Sequence, residues 1–112
     1  MTRKESLAEL IAKVEAGDIA KAPFWKVWVP EGQEGNLAYT AKQAASGSLD
    51  AAKALHEAVL PGWDWEVASP DAAAVFSGHR ISGPSFLDVS QSSARAWLLA
   101  TLRALHSMEP DA

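Results

Sequence analysis

Apolar side chains recur along this chain with two different periods, and the points where one period gives way to the other outline its elements. Leu7, Leu10, Ile11 and Val14 fall at i, i+3, i+4 and i+7, one stripe of an amphipathic helix. Thr2 with Glu5, and Ser6 with Glu9, are alternative capping boxes for its start, and Gly17 is a suitable stop. From Phe24 to Val29 the chain is aromatic and β-branched between Pro23 and Pro30, which predicts a short strand. Trp25, Val27 and Val29 share one of its faces, and Phe24, Lys26 and Trp28 the other. A strand apolar on both faces is either covered on both sides or offers an aromatic patch to a partner. Residues 30–47 hold Pro30, Gly32, Gly35, Asn36, Ser46 and Gly47 and read as a loop, with Leu37 and Tyr39 in a brief extended piece.

The second half is more regular. Ser48 as N-cap and Asp50 in the first turn predict a helix whose buried stripe is Ala52, Leu55 and Val59, ended by Pro61-Gly62. Trp63, Trp65 and Val67 then alternate with Asp64 and Glu66, the pattern of a half-buried strand. A Ser69-Pro70-Asp71 turn leads to a second strand around Ala73 to Ser77, and Gly83-Pro84 to a third around Phe86 to Val89. Ser90, Ser92 and Ser93 supply N-cap candidates for a last helix with Ala94, Trp97, Leu98, Thr101, Leu102 and Leu105 on one face. Arg103 and His106 fall in its final turns, where positive charge suits the helix dipole. Helix, three strands joined by short turns, and helix make an antiparallel meander flanked by helices, an α+β domain.

At 112 residues the chain has the size of a single-core unit, so 1–112 is read as one domain. Within it, 1–47 forms an N-terminal helix, strand and loop, and 48–108 an α-β-β-β-α core. Without Cys there is no disulfide framework, thiolate metal site or cysteine nucleophile. A net charge of −4 argues against a general electrostatic grip on nucleic acid or anionic membrane. Ala94 to Leu105, interrupted by Arg95 and Arg103, falls short of the roughly 20 residues that span a bilayer. Arg3 and Lys4 are followed by Glu5, Glu9, Lys13 and Glu15, where a signal peptide needs an unbroken apolar run.

Three motifs in this order resemble a family of small proteins of tailed phages and prophages, the phage ABA sandwich domain. They are Ser48-Leu49-Asp50-Ala51-Ala52, Val59-Leu60-Pro61-Gly62-Trp63-Asp64-Trp65, and Leu99-Ala100-Thr101-Leu102-Arg103-Ala104. The resemblance covers roughly residues 40 to 108. The chain departs from the family pattern in lacking one residue between Pro61 and Gly62, and in having Ser92-Ser93 where a Thr-Pro pair often opens the last helix. The resemblance implies a three-layer sandwich, with an antiparallel sheet of three to four strands packed by helices, and a phage or prophage origin. It carries no activity. With no Cys and no spanning segment, the cytoplasm of a bacterial host is the expected location.

Chemistry-bearing residues are sparse. His56, His79 and His106 lack the i, i+3 or i+4 ligand spacing that puts two metal ligands on one helical face, and are expected at the surface or its boundary. No metal or other cofactor is expected. Ser77-Gly78-His79 is not a nucleophile elbow, and Gly32 and Gly35 lack the lysine of a phosphate loop. Residues 50–79 concentrate acidity, with Asp50, Glu57, Asp64, Glu66 and Asp71 against Lys53 alone. Asp64 and Glu66 share the strand face opposite Trp63 and Trp65. That face reads as solvated, or as an acidic surface for a basic partner. Among the five tryptophans, Trp63, Trp65 and Trp97 are expected to be buried together. Trp25 and Trp28 lie on opposite strand faces, so at least one of them is expected to be exposed, and both are candidate interface anchors.

The residues therefore favour a non-enzymatic accessory protein that acts by protein–protein contact, with Trp25, Trp28, Asp64 and Glu66 as contact points. The alternatives are a small hydrolase or nucleotide-processing enzyme using His79 and nearby acids, or an acidic DNA mimic directed at host defence. Self-association into a homodimer through sheet edges or the aromatic patch is a further reading.

Overall fold

The computed structural model describes residues 3–16, 34–60, 62–77, 85–90 and 92–108. In chain order its elements are α1 (Arg3–Ala16), α2 (Glu34–Ala45), α3 (Leu49–Val59), β1 (Trp63–Ser69), β2 (Ala72–Ser77), β3 (Ser85–Val89) and α4 (Ser93–Met108). The three strands form an antiparallel meander in the order β1-β2-β3. The fold is α+β, with the sheet packed against helices as the alternation and periodicity predict. The expected strand at 24–29, and with it Trp25 and Trp28, lies outside the described residues.

α4 is the hub. The sheet lies on one side of it and α1, α2 and α3 pack around the others. The sequence predicts a single buried stripe here, but Ala94, Ala96, Trp97, Leu98, Leu99, Ala100, Leu102 and Ala104 are all buried. A helix apolar nearly all round is one enclosed on all sides. Its N-cap is Ser92, whose hydroxyl accepts from the Arg95 amide at 3.1 Å.

Residues 34–45 correct the expected loop: they form α2. Gly35 and Asn36 give its start the look of a turn, and its repeat of Leu37, Ala41, Ala44 and Ala45 is written mostly in alanine. Alanine is the best helix former but a weak hydrophobic marker, so the period is easy to miss. The helix ends in a Schellman motif. The amide of Ser48 donates to the Gln43 carbonyl at 3.0 Å and that of Gly47 to the Ala44 carbonyl at 3.1 Å, with Gly47 at φ 113°. Arg95 of α4 satisfies a further helix-end carbonyl, donating from Nε to Ala45 at 2.9 Å. Ser48 then caps α3 as predicted, its hydroxyl accepting from the Ala51 amide at 3.2 Å.

The strand register sorts side chains onto two faces. Trp65 pairs with Val75 and Val75 with Phe86, so Trp63, Trp65, Val67, Ala73, Val75, Phe86 and Asp88 face the helices. Asp64 pairs with Phe76, Glu66 with Ala74, Ala74 with Leu87, and Ala72 with Val89; these residues form the opposite face. The register slips between Val67 and Ser69, a β-bulge at the end of β1. Next to it, Ser69 donates to the Asp71 carboxylate at 2.6 Å, and the Ser90 amide donates to the Asp71 carbonyl at 2.8 Å. The predicted turn at residues 69–71 thus also anchors the end of β3.

Candidate functional site

Three places in the described fold hold side chains capable of chemistry or recognition, and they lie on both sides of the sheet. The first is an aromatic knot between α3, β1 and α4. The tight turn after α3, with Gly62 at φ 85°, swings β1 back beneath His56. The His56 ring, expected near the surface, is only 1% exposed. Its Nε2 lies 2.8 Å from the Trp63 carbonyl, and its Nδ1 lies 3.2 Å from Trp97 Nε1. An indole N–H can only donate and a carbonyl can only accept, so the imidazole carries its proton on Nε2 and accepts at Nδ1. Both ring nitrogens are thereby spent on holding structure, which leaves none to act as a base or ligand.

Three tryptophans gather around this ring, but not in the common burial the alternation suggests. Trp97 is buried, Trp63 is half-buried and stacks on Phe86 with centroids 6.3 Å apart, and Trp65 remains 38% exposed. Trp65 stacks on Trp97 at 5.3 Å and meets the His56 ring edge-on at 5.4 Å, while the Lys53 ammonium stands 5.5 Å from its centroid. The reason for its exposure is the lie of α4, which packs chiefly on β2 and β3 and reaches β1 less.

The second place is an ion-pair cluster that ties α4 to β3 and α1. Asp88 faces the helices and is met by Arg103, whose Nε donates to Oδ2 at 2.5 Å. The Nη2 of Arg103 reaches Glu15 Oε1 at 2.7 Å. Burial lowers the pKa of Arg103, but the hydrogen bonds and charges of Asp88 and Glu15 more than compensate and raise it above its ordinary value. In the sequence Arg103 has the look of a dipole complement; in the fold it neutralises an acid turned inward from a strand.

The third is the sheet face turned away from the helices. Asp64 is exposed and Glu66 half-buried on β1, on the face opposite Trp63 and Trp65 as the alternation predicts. Across Ala72 and Ala74 of β2 lie Leu87, 65% exposed, and Val89, 62% exposed. Neither is singled out by the sequence reading, although the signal is present: Phe86, Leu87 and Val89 put large apolar residues on both faces of one short strand. The structure thus joins the predicted acidic pair to an apolar strip that was not predicted. Trp25, Trp28 and His79 lie outside the described residues. Among those described, no three His, Asp or Glu side chains are grouped to hold a metal ion, and no helix is long and apolar enough to cross a membrane.

No family model matches the chain, and no curated protein or solved structure does. The likeness to the phage sandwich domain therefore rests on the three motifs themselves.

Proposed function

We propose that this protein is a non-enzymatic accessory factor that works by docking another protein on the outer face of its sheet, and, from its motifs, that it is of phage or prophage origin. The observation that carries the reading is the pair Leu87 and Val89, both more than 60% exposed and side by side on one strand. Exposed apolar residues scattered singly need no explanation, but a contiguous strip bordered by polar groups is the ordinary anatomy of a contact surface. Asp64 at the far side of the same face sets the sign of the partner: an apolar surface flanked by lysine or arginine complements it.

The test is a differential capture experiment. The immobilised protein should retain a basic protein from a bacterial lysate. Leu87→Ser/Val89→Ser should lose it, and Asp64→Asn should retain it with weaker dependence on salt. A captured set unchanged by the double variant would overturn the assignment of this face. If light scattering shows the wild type to be dimeric and the double variant monomeric, the occupant is a second copy instead.

A further inference from the structure

The two outer strands of the described sheet direct their backbone groups differently. The Ser90 amide donates to the Asp71 carbonyl at 2.8 Å, in the register that pairs Ala72 with Val89. Ala73 with Asp88, and Val75 with Phe86, are therefore the pairs that exchange hydrogen bonds. Phe86 and Asp88 turn their N–H and C=O groups toward β2, and Leu87 and Val89 turn theirs away from it. The same alternation carried across β2 turns the groups of Trp63 outward from β1. There they are met: the Trp63 amide donates to the Leu60 carbonyl at 3.1 Å, and its carbonyl accepts from His56 Nε2 at 2.8 Å. β1 also ends in a bulge, a device that blunts a sheet edge.

On β3 the residues that turn backbone groups outward are also the exposed ones. Leu87 is 65% and Val89 62% exposed, whereas Phe76, on the same face of the central strand, is half-buried. Ser85–Val89 contains neither lysine nor proline, the residues that commonly guard an edge. On the helix side, Phe86 shares a groove of about 420 Å³ with Ala8, Ile11 and Ala12 of α1. Its described lining includes nothing from β1 or β2, which places the groove on the side of β3 away from them. A chain laid along β3 would set one alternate row of side chains beside Leu87 and Val89 and the other row toward this groove. Resting on the docking role of the outer face, we propose that the partner adds an extended segment, apolar on both faces, to the sheet along β3. Backbone hydrogen bonds to Leu87 and Val89 hold the segment, and its alternate side chains select it. The partner's basic groups that complement Asp64 lie toward β1, across the same face.

Amide hydrogen exchange of the full chain, followed by NMR, tests this with the peptide Ac-Lys-Val-Phe-Val-Phe-Val-Lys-NH2 as probe. In the protein alone, the Leu87 and Val89 amides should exchange about tenfold faster, or more, than those of Phe86 and Asp88. Peptide should slow them about tenfold. An analogue N-methylated on its valines keeps every side chain but loses the donors aimed at β3, and should bind about tenfold more weakly. Val89→Pro removes an outward N–H, a substitution an edge strand accepts, and should abolish protection of Leu87 while Phe86 and Asp88 stay slow. Val89→Ala should retain that protection. Slow Leu87 and Val89 amides in the protein alone, equal binding of the two peptides, or no protection at millimolar peptide would overturn strand addition. Protection that grows with protein concentration alone would put a second copy on the edge instead. The docking face itself fails separately, on Leu87→Ser/Val89→Ser leaving lysate capture unchanged.

Discussion

The two faces of the sheet are made from alternate residues of the same three strands, yet they are finished differently. On the helix side, the polar groups brought inward around the sheet have been given partners, the Thr101 hydroxyl of α4 aside: the Trp63 carbonyl and Trp97 indole meet His56, and Asp88 meets Arg103. On the outer side, Leu87 and Val89 stand in water, with Asp64 across the sheet on β1. Burial forces satisfaction, because an unpaired buried donor or acceptor costs more than the bond it would have made returns. Exposure makes no such demand, so the outer face is free to be shaped by contact with something else. The comparison teaches where selection for stability ends and where a surface is open to a different use.

Substitutions on each face should break or sharpen that contrast. The largest effect is expected at Trp97, where Trp97→Ala removes a buried ring and the donor to His56 and should cost about 3–5 kcal/mol in chemical denaturation. Trp97→Phe keeps most of the packing and separates out the hydrogen bond, at about 1–2 kcal/mol. Next comes Arg103→Met, which leaves Asp88 facing the helices unpaired; with the pair partly exposed, a loss of about 1–2 kcal/mol is expected. The sign of its pH dependence follows from the raised pKa. A cation whose folded pKa lies above its unfolded value stabilises fully below the unfolded value and loses that contribution only as pH rises through the folded one. The wild-type–variant gap should therefore stay constant between about pH 7 and pH 10.

A gain is expected at Thr101, whose hydroxyl is buried without a partner among the described residues; Thr101→Val should stabilise the fold by about 1 kcal/mol in a thermal or urea titration. Smallest of all, Leu87→Ser with Val89→Ser should change stability by no more than about 0.5 kcal/mol while abolishing capture of a partner. A large loss of stability in that double variant would mean that the outer face is structural after all.

The core from Ser48 onward could be read in the sequence because its signals are local. A cap hydroxyl, a Pro-Gly stop and a strict alternation from Trp63 to Val67 each need only a few neighbouring residues to be recognised. α2 could not, since alanine supplies its period without supplying much hydrophobicity. Of the candidate site, the side of the sheet on which Asp64 and Glu66 lie was legible from parity alone. The burial of His56 was not, because its second partner, Trp97, lies 41 residues further on. Nor was the role of Arg103, which joins Glu15 across 88 residues. Pairings of that kind are decided by the packing of whole elements, which no local pattern encodes.

The two bonds of the His56 ring also differ in when the chain can make them. The link to the Trp63 carbonyl spans seven residues and is available as soon as α3 and β1 have been synthesised. The link to Trp97 must wait for α4, which follows all three strands in the chain. Until it arrives, Nδ1 has no indole to accept from and Trp65 has no ring to stack upon. The junction of α3 and β1 is therefore fully satisfied only once the hub helix packs beside it.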